Sequence, residues 1–526
     1  MAYRLGTINR DILLGTTGND VLIGLDGDDR LDGGLGNDIL IGGAGADIFV
    51  FRPGEGMDAI ADAGAGDLLV VQGGPIYDLD WITRDGQDLV IHFSDNGGYL
   101  LDPLNSVRVL NHFAGSPLTK VQVDTAFNLA TYGIDAAIVT FTIAGGVTGS
   151  NQGDNPEVIL GTAGDDDVHT NGGLWDMVVA GAGDDLVTVD AGTLHSLIRP
   201  GDGNDTVLGG DGADTVRGSQ GSDSLDGGAG FDYLDFRESD TAVSVNLART
   251  TLQYVGGFDG GDIIANFEGV LGSRHNDLLK GGAAAEFLVG RDGRDTLDGG
   301  LGADTLEGGQ DNDIYLVDNV ADLVRELPGA FGGTDEVRAS VSYTLSADAT
   351  FGHVERLVLT GAAANGTGNA LANTLIGNGL GNLLTGLAGN DQLYGKAGSD
   401  TLLGGDGNDR LIGGEGLDVL TGGAGNDRFE FAAATESAVG ASRDRITDFA
   451  TGDLIDLRLI DAAAATPEDD AFVVMTGTFT APGQLRMTVT ASGLLVQLNT
   501  DADATPEMEL LLSGVAAALT GSAFLL

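Results

Sequence analysis

Residues 15–50 read GTTGNDVLI, GLDGDDRLD, GGLGNDILI and GGAGADIFV, four consecutive nonapeptides that share one pattern. Each has glycine at positions 1 and 4, aspartate at position 6 and an apolar residue at position 8. Two glycines within six residues permit a tight turn, and the last three residues alternate as a very short strand does. Three residues cannot form an independent strand, so these units must stack on one another in a solenoid.

The same pattern recurs in three further blocks, at residues 200–235, 272–316 and 368–430. A weaker version spans 161–188, around Asp166, Asp176 and Asp185. Degenerate copies carry a different residue at position 6: Glu286, Asn373 and Asn382. A disordered Gly/Asp-rich linker would have no reason to keep aspartate in register with an apolar residue two places later, so the pattern predicts a folded repeat.

Two nonapeptides make one complete coil, which predicts that residues 18 apart lie directly above one another. Asp20 would then stack on Asp38, and Asp29 on Asp47 at the opposite edge. Neighbouring coils lie ~4.8 Å apart, so the carboxylates would form columns of like charge. Such columns are unfavourable unless a cation sits between the coils. Carboxylate and turn carbonyl oxygens are hard ligands, and they favour Ca²⁺ over a transition metal.

Composition sharpens this prediction. The 526 residues include 79 acidic and 25 basic ones, for a net charge of −54, yet 42% of the residues are hydrophobic. So acidic a chain should be repelled by nucleic acid and by anionic membranes. No apolar run approaches the ~18 residues of a membrane span, and membrane insertion is not expected. Because there is no cysteine, disulfides, zinc–thiolate sites and thiol catalysis are excluded.

The consensus GGxGxDxUx, with U a large apolar residue, resembles the RTX (haemolysin-type calcium-binding) repeat, and GGLGNDILI and GGDGADTVR match it fully. The resemblance implies an all-β parallel β-roll in which Ca²⁺ ions, on the order of ten, are caged between successive turns. It also implies that the position-6 side chains and turn carbonyls are the metal ligands. The candidate ligands are Asp20, Asp29, Asp38, Asp47, Asp166, Asp185, Asp205, Asp214, Asp223, Asp232, Asp277, Asp295, Asp304, Asp313, Asp391, Asp400, Asp409, Asp418 and Asp427. Occupancy of the degenerate copies stays open.

The C-terminal segment contains Asp444-Arg-Ile-Thr-Asp-Phe449 and Gly452-Asp-Leu-Ile-Asp-Leu457, and it ends Ser522-Ala-Phe-Leu-Leu526. It resembles the C-terminal β-roll cap of the serralysin family. The resemblance implies an uncleaved signal for type I secretion through an ABC transporter. The end departs from the family because Ser522-Ala523 stands where an acidic residue precedes the terminal apolar trio. The N-terminus has no Sec-type signal pattern.

These features divide the chain into alternating rolls and spacers. Residues 61–150 include a stretch around 107–113 that resembles the haemolysin-type calcium-binding related segment. The two later spacers resemble strands common in long RTX proteins, and we expect them to extend the solenoid with longer coils. Helix should be scarce, with 462–465 as a short exception. The predicted divisions are 1–60 roll block 1, 61–150 β-rich spacer, 151–235 roll block 2, 236–271 spacer strands, 272–316 roll block 3, 317–367 spacer strands, 368–430 roll block 4 and 431–526 C-terminal cap with secretion signal.

Catalytic motifs are missing from the sequence. None of the six histidines is followed by glutamate, so there is no HExxH zinc-protease motif, and there is no GxSxG nucleophile elbow. Paired carboxylates could serve carbohydrate chemistry. Two acidic clusters are candidates for that role: Asp80, Asp85 and Asp88 beside Trp81, and Asp165 to Asp167 near His169 and Trp175. Solvated turn acids are the commoner explanation of both, and no catalytic residue is assigned.

The sequence therefore predicts a secreted, extracellular or cell-surface protein that binds calcium and is not an enzyme. Its expected partners are Ca²⁺ and the type I secretion machinery, without nucleic acid. Two alternatives stay open. One is a protein that acts on or binds extracellular polysaccharide, and the other is a surface-layer or filament protein that self-associates when Ca²⁺ is present.

Overall fold

The computed structural model describes residues 2–52, 55–62, 67–72, 82–85, 88–92, 106–109, 120–124, 139–145, 157–161, 164–170, 172, 176–256, 260–326, 328, 332–348, 350, 352–462 and 471–526. Regular structure within these ranges is almost entirely β. The described helices are short 3₁₀ turns at Ala434–Glu436, Gly440–Ser442 and Gly521–Ala523. The expected helix at 462–465 falls mostly outside the described residues.

The chain divides into two compact units, one of residues 1–236 with 249–269 and one of residues 237–248 with 270–526. The strands of the first unit are β1 Tyr3–Leu5, β2 Ile12–Leu14, β3 Val21–Asp26, β4 Arg30–Asp32, β5 Ile39–Ala44, β6 Ile48–Phe51, β7 Met57–Ile60, β8 Leu68–Gln72, β9 Ile82–Asp85, β10 Asp88–His92, β11 Ser106–Val109, β12 Lys120–Asp124, β13 Val139–Gly145, β14 Glu157–Leu160, β15 Asp167–His169, β16 Asp176–Ala182, β17 Leu186–Thr188, β18 Ser196–Asp202, β19 Thr206–Leu208, β20 Thr215–Arg217, β21 Ser224–Asp226, β22 Tyr233–Asp235 and β24 Ile263–Ala265.

The strands of the second unit follow the same scheme. They are β23 Ser244–Asn246, β25 Gly269–Leu271 (whose first residue belongs to the first unit), β26 Leu278–Lys280, β27 Phe287–Asp292, β28 Thr296–Asp298, β29 Thr305–Gln310, β30 Ile314–Val317, β31 Leu323–Arg325, β32 Glu336–Ala339, β33 Tyr343–Thr344, β34 Arg356–Leu359, β35 Asn365–Thr367, β36 Thr374–Ile376, β37 Leu383–Ala388, β38 Gln392–Gly398, β39 Thr401–Asp406, β40 Arg410–Gly416, β41 Val419–Ala424, β42 Arg428–Glu430, β43 Asp444–Ile446, β44 Leu454–Asp456, β45 Val473–Met475, β46 Gln484–Thr490, β47 Gly493–Asn499, β48 Met508–Ser513 and β49 Phe524–Leu525.

Repeat strands pair in parallel with the next strand but one. Leu22 of β3 faces Leu40 of β5, and Leu31 of β4 faces Phe49 of β6, each 18 residues on. Successive nonapeptides therefore contribute alternately to two sheets, and the predicted parallel β-roll is confirmed.

The interior of each roll is a column of position-8 side chains. Leu22, Leu31 and Phe49 are fully buried in the first unit, as Leu402 and Leu411 are in the second. Burying one such side chain is worth roughly 1.5–3 kcal/mol, and a nonapeptide supplies only one, so stability must accumulate along the stack.

The spacers place strands in the same sheets through longer coils. Ile39 of β5 pairs with Ala59 of β7 after 20 residues, and Ser224 of β21 pairs with Ile263 of β24 after 39. Within the predicted β-rich spacer, β9 and β10 pair antiparallel. The C-terminal region likewise adds an antiparallel set, β46–β47–β48, beside β43.

Candidate metal centre

One oxygen of most position-6 carboxylates is used to join coils. Asp38 Oδ1 accepts a hydrogen bond from the backbone N–H of Asp20 at 2.6 Å, and Asp427 Oδ1 accepts one from Asp409 at 2.9 Å. The same bond recurs along the rolls, at steps of 18 to 20 residues between most repeats and at longer steps where a spacer intervenes. The carboxylates therefore stack in the predicted columns, and each one also caps the coil before it.

The other oxygen of most of these carboxylates is buried and has no hydrogen-bond donor. This set comprises Oδ2 of Asp29, Asp38, Asp47, Asp58, Asp185, Asp205, Asp214, Asp232, Asp295, Asp304, Asp313, Asp391, Asp400, Asp409, Asp418, Asp427 and Asp444, with Oε2 of Glu286. A buried carboxylate oxygen without a partner is costly, so these positions call for a cation.

The surroundings of such an oxygen consist of further oxygen atoms. A Cβ placed on Gly24 would overlap both Oδ2 of Asp29 and the carbonyl oxygen of Gly42. Gly404 stands in the same relation to Asp409 and to the Gly422 carbonyl. Carboxylate and carbonyl oxygens at one point, free of any side chain because position 1 is glycine, form the ligand set that Ca²⁺ prefers.

Backbone conformation at position 2 decides whether this arrangement forms. Gly34 and Gly43 have φ of +80° and +98°, and even Leu25 and Lys396 adopt +85° and +78° at that position. Positive φ costs a non-glycine residue roughly 1–3 kcal/mol, so the stack imposes this conformation. We call turns with positive φ at position 2 and an orphaned position-6 Oδ2 open turns.

A second kind of turn satisfies its position-6 side chain internally, and we call it a closed turn. Thr16 donates both its N–H and its hydroxyl to Asp20 Oδ2 at 2.6 Å. Ser273 donates its N–H to Asp277 Oδ2 at 2.6 Å in the same way. None of the position-2 residues of the closed turns has positive φ. Asn373 and Asn382 also belong to closed turns, since they accept the N–H of Asn369 at 2.7 Å and of Asn378 at 2.8 Å.

All nineteen predicted ligands are buried, with at most 9% of the residue exposed. They do not form one class, however. Asp20 and Asp277 lie in closed turns, and Asp223 accepts the Ser219 hydroxyl at 2.9 Å. Glu286 reaches into its column, where its backbone N–H bonds Asp304 at 2.8 Å.

Sequence reasoning missed the members of the columns that lie outside the recognised nonapeptides. These carboxylates accept the N–H of the preceding column residue: Asp58, Asp67, Asp262, Glu268, Asp322, Asp335, Glu355, Asp444 and Asp453. A signal was present, because most are followed two places later by a buried apolar residue, as in Asp58-Ala-Ile60 and Asp444-Arg-Ile446. Most of them lack glycine at position 1, whereas Gly257-Phe-Asp-Gly260-Gly-Asp262 keeps both glycines and is a nonapeptide that sequence reasoning overlooked.

Burial shapes the electrostatics of the columns when no cation is bound. Burial, with a contribution from neighbouring aspartates of the column, raises the pKa of Asp38 to about 6 and that of Asp295 to about 8. In one closed turn the Thr16 hydroxyl lowers the pKa of Asp20, whereas in another burial raises the pKa of Asp277. Burial therefore disfavours ionisation of Asp38 and Asp295 in the absence of a cation.

One of the two acidic clusters considered for carbohydrate chemistry includes an ion pair at the surface. Asp167 and His169 are exposed and form a surface pair at 3.0 Å. Asp80, Trp81 and Trp175 lie outside the described residues. Among the described residues, no helix has the length and apolar character needed to cross a membrane.

Stacked coils of two nonapeptides each, with oxygen-lined turns, define a calcium-binding β-roll protein. The RTX calcium-binding nonapeptide repeat family matches residues 5–40, 14–49, 200–234 and 280–315, and the peptidase M10 serralysin C-terminal family matches 380–525. The chain thus carries RTX calcium-binding repeats and a serralysin-type C-terminal region of the kind associated with type I secretion, and this combination indicates a secreted extracellular protein.

No curated protein matches the chain. Among solved structures, the chain is similar to the solution structure of the AlgE6R3 subunit from the Azotobacter vinelandii mannuronan C5-epimerase. Identity is 31% over 30% of this chain and 78% of that chain, with a TM-score of 0.17.

Proposed function

We propose that this protein is a non-enzymatic component of a cell surface or extracellular matrix whose folding is switched on by Ca²⁺ after export. The observation that carries the proposal is the set of buried, donor-less carboxylate oxygens in the open turns. Where free Ca²⁺ is scarce, repulsion along the carboxylate columns keeps the chain unfolded and fit for export. At the millimolar Ca²⁺ found outside cells, ion binding supplies folding free energy.

Cooperativity follows from the architecture. Each coil rests on its neighbours through parallel strands and through the Oδ1 bonds of the column, so filling one turn orders the next. Ca²⁺ titration should therefore give a sigmoidal folding curve instead of independent binding steps.

The test is far-UV circular dichroism of the full chain at pH 7.5, in chelator and during Ca²⁺ titration. We expect loss of most β signal in chelator and cooperative recovery at submillimolar to millimolar Ca²⁺, with Mg²⁺ as the control cation. Complete β structure in chelator would contradict the proposal.

The non-enzymatic part needs a separate assay. An acidic uronic-acid polymer incubated with the Ca²⁺-loaded protein should keep its viscosity and composition. A fall in viscosity or a change in uronate composition would favour the polysaccharide-active alternative.

A further inference from the structure

The last repeat of block 3, residues 308–316, departs from the consensus at the core. Tyr315 takes position 8, where the rolls otherwise bury residues such as Leu297 and Leu306. Eighteen residues beyond Gly308, where position 1 of the next coil would be glycine, stands Glu326. Both side chains are fully buried or nearly so, with 0% and 1% of the residue exposed.

The Tyr315 hydroxyl and the Glu326 carboxylate both lie beside Gly308. In a regular open turn, a Cβ on the position-1 glycine would meet the turn's own aspartate Oδ2 and the next coil's glycine carbonyl, as at Gly404. At Gly308 the atoms within 2.5 Å of that Cβ position are Asp313 Oδ2, the Tyr315 hydroxyl oxygen and Glu326 Oε1. A carboxylate therefore stands where other turns present a carbonyl.

The oxygens around this spot are arranged for a ligand. Asp313 is 1% exposed, and its Oδ2 has no hydrogen-bond donor although it faces Glu326. The Tyr315 hydroxyl donates to Glu326 Oε1 and so fixes the direction of that carboxylate.

A third carboxylate completes the group. Asp335 Oδ1 accepts the Asp313 N–H at 2.8 Å, and one oxygen each of Asp313, Glu326 and Asp335 lie within 4.8 Å of one another. Ca²⁺ binds oxygen at 2.3–2.6 Å, so ligand oxygens around one ion lie up to roughly 5 Å apart. Burial raises the pKa of Asp313 to about 7, and burial together with the neighbouring Asp313 carboxylate raises the pKa of Asp335 to about 8.

From this geometry we infer that Asp313, Glu326 and Asp335 form a tricarboxylate Ca²⁺ site that the nonapeptide motif does not encode. The site lies where the repeats give way to a spacer. Three carboxylates bind a cation more tightly than turns that combine carboxylates with neutral carbonyls. This site therefore fills at a lower Ca²⁺ concentration and also accepts trivalent lanthanide ions. The inference rests on the proposed calcium function.

The experiment compares the full chain with the variants Glu326→Gln, Glu307→Gln and Tyr315→Phe. Glu307 is the matched control, because it is a half-exposed glutamate of the same region that pairs with Arg325 at 2.8 Å. Bound Ca²⁺ is counted by equilibrium dialysis and elemental analysis. Tyrosine-sensitised Tb³⁺ emission reports a lanthanide next to Tyr315.

We expect E326Q to bind one Ca²⁺ fewer per chain, and to lose its highest-affinity step, while E307Q binds the wild-type number. Y315F keeps all three carboxylates, so it should keep the ion count but lose part of the Tb³⁺ emission at the first equivalent. Circular dichroism in saturating Ca²⁺ verifies that each variant folds.

Two results would overturn the inference: a wild-type ion count in folded E326Q, or unchanged first-equivalent Tb³⁺ emission in Y315F. The second measurement stands even if E326Q fails to fold. A wild-type chain that binds no Ca²⁺ would instead refute the proposed function itself.

Discussion

Two turns of the same roll, residues 377–382 and 422–427, differ in how they satisfy the buried side chain at position 6. In the first, Asn378 donates its N–H to Asn382 Oδ1 at 2.8 Å, and the Asn382 amide donates to the Ala363 carbonyl at 3.1 Å. In the second, Gly423 has φ of +104° and its N–H bonds Asp448 at 2.8 Å, so Asp427 Oδ2 is left without a donor.

The difference shows that the cation takes the place of a missing hydrogen-bond donor. The asparagine amide supplies hydrogen atoms to the neighbouring carbonyl, whereas the aspartate turn has only acceptors. A closed turn is therefore complete as a polypeptide, and an open turn is complete only with an ion. Blocks 3 and 4 begin with closed turns, at Asp277 and at Asn373 and Asn382, so each has a start that does not depend on calcium.

The largest expected effect is that of pH in chelator. The pKa values of open-turn aspartates are raised to about 6 for Asp38 and about 8 for Asp295, so the folded state binds more protons than the unfolded state between about pH 4 and 8. Calcium-free stability must fall as pH rises through that window. We expect β structure at pH 4.5 and its loss by pH 7.5, measured by circular dichroism in chelator.

With saturating Ca²⁺ the sign reverses, because protons then compete with the ion, and thermal stability should rise from pH 4.5 to 7.5. Identical calcium-free spectra at both pH values would contradict the claim that ionisation of open-turn aspartates destabilises the calcium-free roll.

A smaller effect comes from filling the space beside an open-turn carboxylate. Gly404→Ala would place a Cβ against Asp409 Oδ2 and the Gly422 carbonyl, so we expect a loss of about 1–3 kcal/mol and at least one bound Ca²⁺. Denaturant unfolding and ion counting measure both quantities.

Gly379→Ala, in a closed turn, is the matched control. A Cβ there meets nothing within 4 Å and φ is not positive, so stability and ion count should be unchanged. Equal losses in the two variants would show that glycine acts generally and not through the metal site.

Exchanging one turn for the other sharpens the comparison further. The pair Asn378→Gly and Asn382→Asp should convert a closed turn into an open one, which raises the bound Ca²⁺ count by one and lowers calcium-free stability by roughly 1–2 kcal/mol as hydrogen bonds are lost. Elemental analysis and chelator melts are the measurements. An unchanged ion count would mean that position 2 and position 6 do not suffice to define an open turn.

The smallest expected effect concerns position 5, outside the metal site. Asn408 Oδ1 accepts the exposed N–H of Asn426 at 2.8 Å, as Asn390 does for Asn408 at 2.7 Å. Asn408→Ala should cost only about 0.5–1 kcal/mol, because water replaces the acceptor. Ca²⁺ affinity should stay at its wild-type value, and a large shift would place position 5 in the metal site.

The regular part of the molecule was predictable because it is local. Glycine at positions 1 and 4, aspartate at 6 and an apolar residue at 8 predict the coil, its 18-residue register and the carboxylate columns from one nonapeptide. Prediction was weaker where coils differ in length. Asp58, Asp262 and Asp335 join the columns after intervals of 20, 39 and 22 residues. The 18-residue period of the sequence does not predict these intervals.

Sequence alone therefore determined which chemistry this protein offers: carboxylates in register, glycine beside them and no competing catalytic motif. Tertiary structure decided which carboxylates need an ion. That choice depends on φ at position 2 and on whatever the next coil places over the turn, such as the Gly422 carbonyl over Asp409 or the Glu326 carboxylate over Asp313. Such contacts join residues 13 or more apart, and the stack alone brings them together.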